Sequence, residues 1–279
     1  MGLLALVPKS WNDRIAFMFM LCGVHSICLF ELVVILPYID ADYSVTFLFH
    51  TVLGVIFYVN IMSSFILTIT TDATSGSQIL PSILKPGWRF CSACEANAPP
   101  RSFHCWTCNK CILRRDHHCV FTGNCVGFQN MRYFTTMVIH ITLAALYCNY
   151  LNMDYTWELM GGFSVQSVAT MIVPMFMWLL GYTHTYSFIC SFMSSLCIIG
   201  FFALGALLGY HSLNLLSGQT TFEKTMKIKD YNLGPVENIK EVFGERWYIA
   251  WLSPYISSPL AGNGIEFAKK TGFENIKDM

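Results

Sequence analysis

Between Cys91 and Cys125 the ligand pattern C-x2-C-x9-H-x6-C occurs twice, the second copy displaced by fourteen residues and threaded through the first. Cys91, Cys94, His104 and Cys111 form one set; Cys105, Cys108, His118 and Cys125 form the other. Three thiols and one imidazole make the soft, tetrahedral donor set of a closed structural Zn2+ site, which leaves no position for substrate. The segment is therefore expected to hold two structural zinc ions. Disulfides are disfavoured, because the loop's seven cysteines cannot pair off and the CxxC spacing suits a metal better. One loop cysteine, Cys119, stays outside both sets. A third copy starting there would need cysteine, histidine and cysteine where the chain has Thr122, Arg132 and Ile139. A thiol preceded by His117 and Asp116 and released from metal duty is a candidate nucleophile.

The rest of the chain is read from where its charges lie. It is 54% hydrophobic and only 12% charged, about half the charged fraction of an ordinary soluble protein, near 25%. No Asp, Glu, Lys or Arg occurs from Leu159 to Phe222. The basic residues fall in three places: Lys9 and Arg14, then Lys85 to Arg132, then Lys224 onward. This distribution describes a multi-pass membrane protein. A nucleic-acid-binding zinc module is excluded, since net charge is zero and Arg101, Lys110, Arg114 and Arg115 form no long stripe.

A helix needs about 20 apolar residues to cross a ~30 Å hydrocarbon core. Spans are expected over roughly Ile15–Leu36, Val45–Ile69 and Tyr133–Asn152, with a fourth over about 187–212. The apolar stretch 165–182 contains Pro174 and Gly181, both poor in helix interiors. It is expected at the lumenal interface or against the bundle, without crossing. An even number of crossings keeps all three basic regions on the cytoplasmic side. The expected fold is thus all-α, with four transmembrane helices and a cytoplasmic two-zinc loop between the second and third. Its divisions are an N-terminal arm with two spans (1–71), the cysteine-rich loop (72–132), two spans with an interfacial segment (133–217) and a cytoplasmic tail (218–279). Cysteines 22, 28, 148, 190 and 197 lie in apolar runs and read as packing residues. His25, Glu31, His50 and His140 are ionisable groups in or near spans, which often mark function, although Glu31 and His140 lie near the expected boundaries. No cleavable signal peptide, myristoylation motif or KDEL-type signal is evident.

The leftover triplet has a definite chemistry. A thiolate is the working nucleophile and a neighbouring base favours it. His117 can take the Cys119 proton, while Asp116 fixes the imidazole tautomer and supports its positive charge. Neighbouring side chains on an extended segment point to opposite faces, so a turn is expected here to bring the group together. Both ends of the loop lead into membrane helices, which holds the thiol near the bilayer surface. That placement suits attack on an amphiphilic thioester.

With those residues in view, segment 91–134 resembles the cysteine-rich domain of the DHHC-type protein S-acyltransferases, or palmitoyltransferases. It carries the tetrapeptide Asp116-His117-His118-Cys119, then Asn124-Cys125-Val126-Gly127, Asn130 and Phe134. Thr220-Thr221-Phe222-Glu223 is similar to the family's TTxE motif. Residues 231–244, with Asn238, resemble its C-terminal stretch, and Ser258-Pro259-Leu260 with Gly262-Asn263-Gly264 resemble its tail. The resemblance implies that Cys119 accepts an acyl group, usually palmitoyl, from acyl-CoA and passes it to a cysteine of a membrane-associated protein. It implies the same zinc pairing, buttressing of the catalytic region by Thr221 and Glu223, and a packing role for Asn238. An endomembrane setting, Golgi or endoplasmic reticulum, is expected. Two departures stand out. Val120-Phe121 follow the cysteine where the family has Pro-Trp, and Gly123-Asn124 precede the last ligand where it has two asparagines. These keep a second expectation open, a catalytically silent zinc-bearing adaptor. A transporter would require inverted repeats and broken helices with paired polar groups, and the sequence has neither.

Overall fold

The computed structural model describes residues 7–77 and 80–269. In chain order the helices are α1 (Trp11–Ile39), α2 (Val45–Thr70), α3 (Met131–Leu159), α4 (Val165–Ile172), α5 (Pro174–Leu179), α6 (Thr185–Leu216), α7 (Thr221–Thr225), α8 (Pro235–Phe243) and α9 (Trp247–Ala250). Among the described residues four helices, α1, α2, α3 and α6, are long and apolar enough to cross a membrane. Even the shortest, α2, has 26 residues and a length of about 39 Å at 1.5 Å per residue, more than a hydrocarbon core requires. α1 contains a π-helical turn over Glu31–Ile35, one residue short of Pro37. Proline cannot donate to the preceding turn, and the widened turn absorbs that mismatch. The stretch 165–182 forms α4 and α5, of eight and six residues, broken at Val173-Pro174. Neither is long enough to span. α3 and α6 run past the apolar windows read from the sequence. A helix continues while its backbone bonds are satisfied, and α3 stops only at Gly161-Gly162, both with positive φ.

The chain divides into two compact units. One comprises the described parts of Met1–Met18, Met62–Met137 and Gly209–Met279; the other is Phe19–Ile61 with Val138–Leu208. The second unit is purely helical. Phe30, Ile35, Leu36, Leu151, Tyr155, Cys190 and Met193 form its buried core. Thr156 Oγ1 meets Ser194 Oγ at 2.8 Å, Asn149 Nδ2 donates to the Cys197 carbonyl at 3.1 Å, and His50 is hydrogen-bonded to the Tyr147 hydroxyl. Such polar links between helices replace water where none is available. Leu48, Phe49, Val52, Val55 and Ile56 on α2 are exposed, an arrangement suited to hydrocarbon.

The first unit carries the loop between α2 and α3. Within the mostly helical fold this loop adds three short antiparallel hairpins. Their strands are β1 (Arg89–Cys91), β2 (Ala96–Ala98), β3 (Phe103–Cys105), β4 (Lys110–Ile112), β5 (His117–Cys119) and β6 (Asn124–Val126). β1 pairs with β2, β3 with β4 and β5 with β6. Each hairpin starts fourteen residues after the last, and the registers repeat: Cys91 opposite Ala96, Cys105 opposite Lys110, Cys119 opposite Asn124. In each turn the fifth residue, Glu95, Asn109 or Gly123, takes a left-handed conformation with φ of 50°, 52° or 59°. The third hairpin thus keeps the backbone of a metal knuckle, with Thr122 where the second cysteine would stand. Thr122 Oγ1 instead donates to the Cys119 carbonyl at 3.3 Å.

Asparagines join this loop to the end of α2. Asn124 Nδ2 donates to the Ile69 carbonyl at 2.9 Å, and the fully buried Asn130 donates to Thr68 O and Cys125 O while accepting from Gly127 N. After α6 the chain turns at Gly218 (φ 65°), where a Cβ would sit 2.7 Å from both Asn238 Oδ1 and Tyr231 O. Asn238 Nδ2 caps α6 through the Leu216 carbonyl at 2.8 Å. α7 opens with a full capping box: the Thr220 side chain accepts from Glu223 N, and Glu223 returns to Thr220 N at 2.9 Å.

Candidate active site and metal centres

Each Cys/His set of the repeated pattern is gathered in space. His104 Nδ1 lies 3.7 Å from Cys91 Sγ and 3.3 Å from Cys94 Sγ. His118 Nδ1 lies 3.7, 3.3 and 3.7 Å from the sulfurs of Cys105, Cys108 and Cys125, and Cys108 Sγ is 3.6 Å from Cys125 Sγ. A tetrahedral ion with metal–sulfur bonds of about 2.3 Å and metal–nitrogen bonds of about 2.0 Å places its ligand atoms about 3.5–3.8 Å apart. Donor type and spacing both fit. The two clusters can each hold a metal ion, and both imidazoles present Nδ1 to it.

β5 then organises a different site. A strand alternates its side chains, so His118 faces the sulfurs while His117 and Cys119, two apart, share the opposite face. The expected turn is absent; pleating alone brings base and thiol together. Asp116, just before the strand, accepts from His117 Nδ1 at Oδ2, 2.7 Å away. That leaves Nε2 as the ring nitrogen for Cys119. Asp116 is 3% exposed and Cys119 6%. Two further donors fix the carboxylate: Thr221 N to Oδ1 at 2.9 Å and Thr221 Oγ1 to Oδ2 at 2.8 Å.

The electrostatics follow from this wiring. Burial alone would raise the Asp116 pKa, but the bond from His117, the nearby imidazole charge and Thr221 N hold it down to about 2. Burial would lower His117; its bonds to Asp116 and Cys119 raise it instead to about 9. Burial would raise the Cys119 thiol, yet His117 and Thr122 pull it below its ordinary value. Both shifts favour a thiolate–imidazolium pair over the neutral thiol and imidazole. Such a pair can attack an electrophilic carbonyl and protonate a leaving group.

Several contributors escaped the sequence reading. His211, on α6, is 5% exposed, and its Nδ1 lies 3.8 Å from Asp116 Oδ2. Its ring is 5.2 Å from His117 and 5.0 Å from Phe134, and Phe134 is 4.9 Å from His117, so two rings flank the His117 imidazole. Asp116, His117 and His211 are close enough to take an ion. However, Asp116 Oδ2 already accepts from both His117 and Thr221, which favours the proton-transfer role. Glu223, expected beside Thr221, does not touch the triplet. It receives a bidentate pair from Arg101, with Nε at 2.6 Å and Nη2 at 2.8 Å. Arg101 Nη1 also reaches Glu241 at 2.9 Å, and Arg114 pairs with the same carboxylate at 2.6 Å. The Arg101 guanidinium stacks 4.3 Å from Tyr231 and 4.8 Å from Phe267. Long-range partners of this kind leave no local spacing to read. Val120 and Phe121, after the thiol, are each 41% exposed.

Four helices long and apolar enough to cross a membrane, a loop of paired Cys/His clusters and a buried Asp-His-Cys group define a multi-pass membrane protein with a cysteine-rich loop. The family model of the DHHC palmitoyltransferases matches residues 84–228, a little over half of the chain. The chain is 38% identical over 185 residues to the probable palmitoyltransferase ZDHHC24 of Homo sapiens, covering 66% of this chain and 65% of the relative. The Danio rerio protein of the same name is 42% identical over 195 residues, covering 70% and 66%. Palmitoyltransferase ZDHHC15 of Homo sapiens is 30% identical over 191 residues, covering 66% and 51%. The chain thus belongs to the DHHC palmitoyltransferase family, and it spans just under two thirds of the length of the two ZDHHC24 relatives.

Proposed function

We propose that this chain is a protein S-acyltransferase that carries a long-chain acyl group, palmitoyl in the first instance, from acyl-CoA to cysteines of membrane-associated proteins. The observation that carries the reading is the shared face of His117 and Cys119 on β5, with Asp116 clamped behind the imidazole. The Cys119 thiolate attacks the thioester carbonyl. The carbon–sulfur bond to coenzyme A breaks, and the departing thiolate takes the proton from His117 Nε2. His117, now neutral, removes the proton from an acceptor cysteine. That thiolate attacks the acyl-Cys119 thioester, and Cys119 leaves as thiolate beside the restored imidazolium. Asp116 stays ionised throughout and keeps the ring in one tautomer.

The ions that best suit the two clusters are Zn2+, held by Cys91, Cys94, His104 and Cys111 and by Cys105, Cys108, His118 and Cys125. Their chemistry is structural, since each set supplies four protein ligands. The basic arm, loop and tail support a common cytoplasmic side, and an endomembrane such as Golgi or endoplasmic reticulum is the setting we assign. A silent adaptor is not favoured, because nothing in the acid–base group is missing.

Incubating zinc-replete protein with labelled palmitoyl-CoA, followed by a chase with an acceptor thiol, tests this directly. The wild type forms a hydroxylamine-sensitive adduct that the chase removes. Cys119→Ser retains both zincs and forms none. Acyl transfer by Cys119→Ser at the wild-type rate overturns the assignment.

A further inference from the structure

The two Cys/His sets share one ligand pattern but differ behind their histidines. His118 presents Nδ1 to its three sulfurs, so Nε2 carries the proton. That nitrogen is 3.1 Å from Asp13 Oδ2, on the first turn of α1 and 4% exposed. In the first set, His104 Nε2 is buried and has no hydrogen-bond partner among the described residues. The arm around Asp13 is itself seated on the second set. Pro8 lies over Gly123, where a Cβ would come 2.3 Å from Pro8 Cγ. Arg14 Nε donates to the Pro8 carbonyl at 2.8 Å, and the Arg14 guanidinium lies over the Trp11 ring at 5.9 Å. A residue 105 positions away in the chain is thereby held against one ligand imidazole.

We infer that Asp13 is a positioning residue for the second metal set, making a carboxylate–histidine–metal relay that the first set lacks. The inference rests on the zinc reading given above. A carboxylate accepting from the distal nitrogen fixes the tautomer and ring orientation and raises the basicity of the ligating nitrogen; losing such a partner typically costs 10–100-fold in metal affinity. Two consequences follow for this chain. The second ion is held more firmly than the first, although the primary donors are the same. And because His118 stands between His117 and Cys119, the first membrane helix helps set the backbone on which the nucleophile is mounted.

The test reads each site separately in the full-length, zinc-loaded protein. A metal chelator and a thiol alkylator are added together, and labelling of each cysteine is followed by peptide mass spectrometry. Wild-type protein carrying two zincs is expected to lose protection at Cys91, Cys94 and Cys111 first, then at Cys105, Cys108 and Cys125. Asp13→Ala is expected to speed labelling of the second trio about 10–100-fold, the range for loss of such a partner, with the first trio unchanged. The isosteric Asp13→Asn, which keeps an oxygen acceptor without the charge, is expected to fall between. Unchanged labelling of the second trio in both variants overturns the inference, as does equal acceleration of both trios, which reports general loosening. A wild-type protein with no bound zinc would instead refute the metal reading itself.

Discussion

Thr221→Val isolates the clamp behind the proposed base. Asp116 accepts three hydrogen bonds: Thr221 N at 2.9 Å, Thr221 Oγ1 at 2.8 Å and His117 Nδ1 at 2.7 Å. Valine keeps the volume, the β-branch and the backbone donor, and removes only the hydroxyl. A hydrogen bond to a buried charged group is worth about 1.5–3 kcal/mol. With about 1.4 kcal/mol per tenfold in rate, the upper limit is near 100-fold if the whole bond serves the transition state. The carboxylate keeps two donors, however, so part of the loss will appear as stability, when Oδ2 is left with one donor or turns away from the imidazole. The expected result is a fall below that limit, on the order of tenfold, in single-turnover formation of acyl-Cys119. Thr221→Ser, which restores the hydroxyl, should stay within about threefold of wild type on the same argument. Zinc content and apparent melting temperature are measured alongside, to separate orientation from unfolding. A Thr221→Val protein with wild-type rate and stability refutes the clamp. Equal losses in the valine and serine variants would show that shape, not the hydroxyl, is what matters, and would refute it too.

Two further outcomes follow from the same unit. Cys119 is depressed and His117 raised to about 9, so iodoacetamide labelling of Cys119 should persist below the ordinary thiol range, falling only as pH drops through the depressed thiol value; His117→Ala should move that midpoint upward, and an unmoved midpoint contradicts the ion pair. Arg101→Met leaves the buried Glu223 without its cationic partner and Glu241 with Arg114 alone, a change that typically costs about 3–5 kcal/mol; its apparent melting temperature should fall by many degrees, and a wild-type value would show that this network does not hold the tail.

Which features were legible beforehand depends on how far apart in the chain their partners lie. The two ligand sets are written in local spacings, and the four spans in apolar windows of about 20 residues. Both survive as sequence periodicities because each is made by near neighbours. Asp13, His211, Arg101 and Glu241 act on partners more than ninety residues away. Nothing beside them in the chain marks them, since a buried aspartate and a surface aspartate read alike. The motif containing Thr221 and Glu223 was recognisable as a unit, but its members have different jobs. Thr221 holds Asp116, while Glu223 neutralises Arg101 and caps α7.

The expected turn at the active triplet is the most instructive miss. On the sequence alone, bringing Asp116, His117 and Cys119 into one group calls for a bend, because adjacent side chains on a strand diverge. The fourteen-residue period already contained the better answer. His104 and His118 occupy equivalent places in β3 and β5, each one residue before a cysteine and across from Cys111 or Cys125. In β3 that following cysteine, Cys105, turns away from the histidine's own metal set and joins the next one. In β5 there is no next set: Thr122 has replaced the second cysteine, and the register is otherwise unchanged. Cys119 therefore inherits a position shaped to present a thiolate to a cation. What it meets instead is the His117 ring, on its own face of the strand, whose raised pKa favours the imidazolium. On this argument the proposed nucleophile sits on a metal knuckle without its second cysteine, and an ion in the neighbouring set would clamp the strand from behind through His118.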